Sequence, residues 1–298
     1  MLRFDPSELR RYAGLTLLAR QVVEGFLTGV HRSPFKGFSI EFAEHRQYSP
    51  GDEIRHIDWR AYGKTDRYYV KEFEEETNLK AYLLVDASGS MGYKGRGDRL
   101  SKFEYAQQVA ASLAFLMLHQ LDAVGLITHD TKVRSLIPPK ASSKHLLNVL
   151  RALEATRPGG ETAMAPLWHQ LATHHLKRRG LIIILSDFFD DIEALTKALR
   201  NLKHRNHEVV LFQVLSPDEV EFPFSKVTQF RNLERPADTQ RVDARRLRAE
   251  YLQQFQQFCE QLRERAGNMH MDYRLLRTDQ PVDRALGLYL SHRQRMGF

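Results

Sequence analysis

Two short apolar runs in this 298-residue chain end in an aspartate. Ala81-Tyr82-Leu83-Leu84-Val85 leads into Asp86-Ala87-Ser88-Gly89-Ser90-Met91, and Leu181-Ile182-Ile183-Ile184-Leu185 leads into Ser186-Asp187. A polar loop, Gly159-Gly160-Glu161-Thr162, lies between them in sequence. Carboxylates and hydroxyls are hard oxygen donors, and Asp-x-Ser-x-Ser turns alternating oxygens towards one point. Such a set suits a hard divalent cation, Mg²⁺ first, with Mn²⁺ or Ca²⁺ as alternatives. The candidate metal ligands are therefore Asp86, Ser88, Ser90, Thr162 and Asp187. Taken singly, each has a plainer reading: an aspartate at a strand end caps the next helix, and Thr162 is a good N-cap. The joint pattern favours the metal.

Other signals carry less. Gly92-Tyr93-Lys94-Gly95-Arg96-Gly97-Asp98 is glycine-rich but lacks the closing Gly-Lys-Ser/Thr of a phosphate loop. His129, His174 and His175 lack the spaced partners of a zinc site. Cys259 falls on or beside an apolar helix face with no evident base, and no Gly-x-Ser-x-Gly elbow is present. No nucleophile and base stand together, so an enzyme is not expected.

The elements that must position these residues follow from periodicity. The runs at 81–85, 123–128, 181–185 and 208–215 read as strands, the first and third buried on both faces. Lys132–Ile137 reads as an antiparallel partner of 123–128 after a tight turn. Ser101-Lys102-Phe103-Glu104 is a capping box that opens a helix. Further helices are expected over 143–155, from Pro166 to a stop at Gly180, after Asp190 as N-cap, over about 247–266, and over about 281–294. Residues 216–243 read as an irregular lid or edge excursion, and 269–275 as a half-exposed edge strand. Strands alternating with helices imply an α/β fold, a mostly parallel sheet with helices on both faces. In such a sheet ligands bind beyond the carboxyl ends of the strands, where Asp86 and Asp187 stand. Upstream, residues 7–30 read as a packed helix. Residues 31–79 mix glycine, proline, aromatics and charge, with extended pieces near Phe38–Phe42 and Tyr68–Phe73. The division expected is 1–79 packed on 80–298.

Composition narrows the classes. Of 298 residues 42% are hydrophobic and 27% charged, which excludes wholesale disorder. One cysteine forms no internal disulfide, no apolar run nears the roughly 20 residues of a membrane span, and the start lacks a signal-peptide pattern. A cytoplasmic location is the expectation. The net charge of +7 divides into −1 over residues 1–79, +6 over 80–215 and +2 over 216–298. Much of the excess sits in Lys177-Arg178-Arg179 and in Arg200, Lys203 and Arg205, at expected helix ends where cations oppose the macrodipole. A nucleic-acid partner is disfavoured, because no recognition motif accompanies the charge.

Asp86-Ala87-Ser88-Gly89-Ser90, with Thr162 and Asp187 downstream, resembles the metal-ion-dependent adhesion site of von Willebrand factor A domains. The resemblance covers about residues 80–290 and implies that fold. It also implies that the three hydroxyls and two carboxylates hold the metal directly or through water, with a partner's carboxylate at the open position. The stretch Gly37–Phe42, then Arg46-Gln47-Tyr48-Ser49-Pro50-Gly51-Asp52-Glu53-Ile54-Arg55-His56-Ile57-Asp58-Trp59-Arg60, resembles the hallmark of the bacterial domain of unknown function 58 family. That resemblance implies association with MoxR-type AAA+ ATPases.

Physically, Arg46, Asp52, Arg55, Asp58 and Arg60 suit a buried or half-buried ion-pair network with Trp59 as an apolar anchor, since arginine forks hold carboxylates in fixed geometry. Docking of the ATPase is the other reading of the same residues. The function expected is a metal-dependent protein-interaction module, an adaptor or co-chaperone-like partner of such an ATPase. The alternative is a Mg²⁺-dependent phosphoryl-transfer hydrolase using Asp86. Against it, the acid/base aspartate typical two residues after the nucleophile is Ser88 here.

Overall fold

A computed structural model describes residues 15, 18–23, 41–47, 59, 62–63, 68–74, 80–97, 100–176, 179–235 and 237–295. The chain forms two units, Phe35–Leu79 and the remainder, Met1–Pro34 with Lys80–Phe298. In the smaller unit β1 (Glu41–Gln47) pairs antiparallel with β2 (Tyr69–Glu74). The second expected extended piece is thus in place, and the first overlaps β1 at Glu41 and Phe42, its residues 38–40 falling outside the described residues. The expected division put the N-terminal helix with the segment that follows it. Its residues 18–23 instead belong to the larger unit, where Ala19 and Val23 are buried and Val23 faces a small cavity beside Leu113, Leu116 and Leu290.

The larger unit runs β3 (Lys80–Asp86), α1 (Lys102–His119), β4 (Ala123–His129), β5 (Val133–Lys140), α2 (Ser143–Ala155), α3 (Met164–His174), β6 (Leu181–Ser186), α4 (Ile192–His204), β7 (Glu208–Leu215), α5 (Pro217–Glu221), β8 (Val227–Arg231), β9 (Thr239–Asp243), α6 (Ala244–Asn268), β10 (Asp272–Arg277) and α7 (Val282–Arg295). Six strands form one sheet in the order β10-β7-β6-β3-β4-β5, parallel except for β5. This is the α/β architecture, a mostly parallel sheet with helices on both faces, that the sequence pattern predicts.

Both sheet faces are covered, which is why the central strands are continuously apolar. Tyr82, Leu84, Ile182, Ile184 and Leu211 join Trp168 and Leu171 of α3, Leu195 and Leu199 of α4, and Leu262 of α6 in one core. The alternate residues Leu83, Val85, Ile183 and Leu185 are fully buried on the opposite face. On that side Phe212 of β7 meets Tyr289 of α7 edge-on, with centroids 5.0 Å apart. Each such aliphatic side chain contributes roughly 1.5–3 kcal/mol by leaving water.

The chain leaves β3 towards β4 and β5, then returns to build β6, β7 and β10 on the other side. The strand order therefore reverses between β3 and β6, which opens a crevice at their carboxyl ends. Asp86 ends β3 and Asp187 follows β6. At the far edge, β5 carries Pro138 and Pro139 in succession. The register of its pairing with β4 shifts between Val124 and Leu126, opposite these prolines, because proline has no N–H for the ladder.

Three local readings change. Helix α3 stops at His174, six residues before Gly180, because the chain must turn to enter β6. Leu176 is buried in that turn, and His207 Nε2–H donates to its carbonyl at 2.9 Å. Of the basic run expected at that helix end, Arg179 lies past the helix, and Lys177 and Arg178 fall outside the described residues. The N-cap of α4 is Asp191, which accepts from Ala194 N–H, whereas Asp190 accepts from Met164 N–H at the start of α3. Residues 216–243 hold a capped turn of helix, α5, and an antiparallel hairpin, β8–β9.

Candidate metal centre

The β3 end bends so that Asp86 is wholly buried and each of its oxygens is held. Ser88 N–H donates to Oδ1 at 2.8 Å, and Ser186 O–H donates to Oδ2 at 2.6 Å. The Ser88 and Ser90 hydroxyls lie 3.1 Å apart, Ser88 buried and Ser90 half-buried at the head of a single 3₁₀ turn, Ser90–Gly92. The first three candidate ligands thus form one cluster.

The loop that carries Thr162 is joined to the β3 end by two backbone hydrogen bonds. Gly159 N–H donates to Ala87 O and Gly89 N–H donates to Gly160 O, each at 2.9 Å. Arg134 of β5 pins this loop from outside, donating to the carbonyls of Arg157 and Gly159 and to Asp130. Asp130 would rise on burial, but the Arg134 fork outweighs this and holds it below the usual carboxylate range. Gly160 has φ +83°, and a Cβ there would stand 2.9 Å from Asp130 Oδ2, so only glycine fits. The N-cap of α3 is Ala163, not Thr162, and Thr162 is free of the capping role.

Asp187 is wholly buried in the crevice, and its charge acts on Asp86. Burial first, and Asp187 second, push the Asp86 carboxyl up to about 7, while the Ser186 and Ser88 hydrogen bonds pull it down. Lys102, the first residue of α1, is also buried and donates from Nζ to Asp187 Oδ2 at 2.7 Å and to Glu219 Oε1 at 2.6 Å. Burial opposes its charge, yet the two carboxylates more than offset this and keep its pKa above the ordinary lysine value. Its ammonium lies 5.3 Å from the Phe189 ring centroid. Glu219 is set by the Ser216 capping box of α5, and the neighbouring Asp218 accepts from Tyr93 O–H and Arg96 N–H.

A fourth carboxylate lies against the site. In the loop joining β8 to β9, Glu234 accepts from Thr162 O–H at 2.5 Å and from Thr162 N–H at 3.0 Å.

Sequence reasoning missed Lys102, Glu219 and Glu234. Ser216-Pro217-Asp218-Glu219 has the same Ser-x-x-Glu spacing as Ser101–Glu104 and was findable. Lys102 has the ordinary look of a solvated helix-start lysine, and nothing in the loop marks Glu234.

The donor chemistry fits a hard cation. Asp86 has risen because it is buried and, second, because the Asp187 carboxylate stands near it. Among the described residues, no group of three or more His, Cys, Asp or Glu gathers to hold a metal. A cation here would rely on hydroxyls alongside Asp86, with Asp187 shared with Lys102.

The hallmark stretch is only partly described. Arg46 lies on β1 opposite Val70. Asp52, Arg55, Asp58 and Arg60 fall outside the described residues, and the ion-pair network with them. Trp59, expected as an apolar anchor, is 58% exposed. Its ring stands edge-on to Tyr62 and Tyr68, which stack on each other at 4.5 Å. Cys259 is half-buried, and burial raises its thiol to about 11, so it is not a reactive thiolate. No helix among the described residues is long and apolar enough to cross a membrane.

Residues 44–260 match the family model described as protein of unknown function DUF58. An uncharacterized protein of Mycobacterium tuberculosis is 28% identical over 221 residues, 74% of this chain and 68% of that one. An uncharacterized protein of Bacillus subtilis, YeaD, is 27% identical over 37% of this chain and 25% of its own length. Among solved structures, an aerotolerance-related membrane protein from Bacteroides fragilis aligns with TM-score 0.49 and 15% identity over 73% of this chain and 99% of that one. The conserved hypothetical protein BatB from Bacteroides thetaiotaomicron aligns with TM-score 0.46 and 16% identity over the same shares.

Proposed function

Because the chain belongs to the DUF58 family of proteins of unknown function, we propose that its larger unit is a metal-dependent protein-interaction module. The observation that carries this is the gathering of Asp86, Ser88, Ser90 and Thr162 on one crevice rim, with Asp187 beside Asp86. Asp86, the three hydroxyls and, through its shared carboxylate, Asp187 would hold the ion, Mg²⁺ by donor type. When bound, it would supply a centre of positive charge open to a partner's carboxylate. The chain's own residues do the rest. Ser186 and the Ser88 amide orient Asp86, and the Gly89–Gly160 bond brings Thr162 to the rim. Lys102 donates to both Asp187 and Glu219 and is their buried hydrogen-bonding partner.

In this reading the module is non-catalytic and serves as an adaptor for a MoxR-type AAA+ ATPase, the partner that the family resemblance implies, in the cytoplasm. The hydrolase reading gains no support from Asp86, whose two oxygens are both engaged by the protein. Affinity capture with a MoxR-type ATPase, in Mg²⁺ and in EDTA, tests the proposal. Capture is expected from the wild type in Mg²⁺ alone, and from neither Asp86→Ala nor Thr162→Ala at unchanged fold by circular dichroism. Equal capture in EDTA defeats it.

A further inference from the structure

We infer that Glu234 is a built-in occupant of the rim, a carboxylate from the chain's own hairpin standing where a partner's carboxylate would have to bind. The inference rests on the metal-site reading above and concerns how that site is regulated.

The hairpin is constructed to deliver this group. Phe222 stacks on Phe230 of β8, with centroids 5.8 Å apart, and tilts against Tyr251 of α6 at 4.5 Å, which ties β8 to α6. At the hairpin tip Asn232 Oδ1 accepts from the Glu234 and Arg235 amides, and Asp238 O accepts from Asn232 N–H. Glu234 then takes both the hydroxyl and the amide of Thr162. Thr162 O–H donates its only proton to Glu234, and its lone pairs stay available to a cation. A cation on that oxygen would therefore meet Glu234 before any outside group.

The fit at the tip is close. A Cβ on Gly89 would lie 2.5 Å from Leu233 O, so the hairpin backbone rests on the Asp-x-Ser-x-Ser loop because residue 89 has no side chain. Gly89 itself has φ −60° and ψ −36°, which any residue adopts. The outer fastening is weak: Arg235 donates to Glu161 at 2.9 and 3.1 Å, with both side chains more than half exposed. Exposed pairs hold loosely and are screened by salt. The tip is thus seated on the site yet held from outside by a contact that solvent readily breaks. The partner it excludes is an acidic side chain, because the displaced group is a carboxylate.

Isothermal titration with Mg²⁺ alone, with and without added acetate, tests this on wild type, Glu234→Ala, Gly89→Ala and Asp86→Ala. Loss of a charged hydrogen-bonding neighbour should weaken Mg²⁺ binding about tenfold in Glu234→Ala, and acetate should restore it. Acetate should leave the wild type unchanged. Gly89→Ala, which lifts the tip but keeps all five ligand side chains, should behave like Glu234→Ala. Unchanged Mg²⁺ affinity in Glu234→Ala, or no rescue by acetate, overturns the inference and leaves the metal site standing. No Mg²⁺ binding by the wild type, or equal binding by Asp86→Ala, overturns the metal reading and with it this one. Hydrogen exchange without metal is the second measurement. The Thr162 amide should exchange faster in Glu234→Ala than in the wild type, and equal rates overturn the contact itself.

Discussion

At the scale of single residues, the crevice is a problem of buried charge. Three carboxylates, Asp86, Asp187 and Glu219, share it with one ammonium, Lys102. Removing one partner of a buried ion pair leaves the other uncompensated, which costs about 3–5 kcal/mol. Lys102→Met should therefore lose about that much stability in urea unfolding without metal. Mg²⁺ should raise its melting temperature more than that of the wild type, because the cation meets a larger uncompensated charge. A loss below about 1 kcal/mol would show that Lys102 is not the counter-charge. The clustering of Asp86, Ser88 and Ser90 was legible because the Asp-x-Ser-x-Ser spacing carries its geometry locally. Lys102 and Glu234 were not, since they reach the crevice only through tertiary contacts from residues 85 positions before Asp187 and 72 positions after Thr162.

Among elements, the loops matter more than the helices. The loop at 157–162 is held by Arg134 from the edge strand and by two backbone bonds to the β3 end. Gly160→Ala forces a side chain into φ +83° and against Asp130, a strain of about 1–3 kcal/mol. It should lower the melting temperature and weaken Mg²⁺ binding through Thr162. Gly159→Ala is the control, since a Cβ there finds its nearest neighbour, an Arg134 nitrogen, only at 4.0 Å. Equal effects from the two substitutions would remove the loop from the account. The strands and main helices followed from sequence periodicity, because strands buried on both faces leave continuous apolar runs. The hairpin β8–β9 did not. Its strands are short and largely exposed, with no apolar alternation to read. Asp190 misled for a related reason: as a cap it serves α3, an element earlier in the chain, and local spacing reports only the helix that follows.

The whole molecule titrates through groups that burial has shifted in opposite directions. Burial lowers His129 to about 4 and also holds His145 and His207 below the ordinary value near 6.5. From pH 6.5 down to 4 the unfolded chain binds protons that the folded chain refuses, so these groups make stability fall with pH. Asp86, raised to about 7, binds its proton in the folded chain long before the unfolded carboxyl near 3.8 does. Without metal it makes stability rise as pH falls from 7. Asp86→Asn removes that contribution, and each proton is worth about 1.4 kcal/mol per pH unit. The urea midpoint of Asp86→Asn should drop more steeply than the wild type's between pH 7 and 5 in EDTA, and parallel slopes would contradict the shift. The successive prolines of β5 have a different kind of consequence. An edge strand invites a neighbouring molecule to add a strand of its own, and Pro138 with Pro139 withdraws an amide donor from each side of the ribbon. The sheet therefore has a blunted margin on that side, and concentrated solutions are protected there from end-to-end growth into fibres.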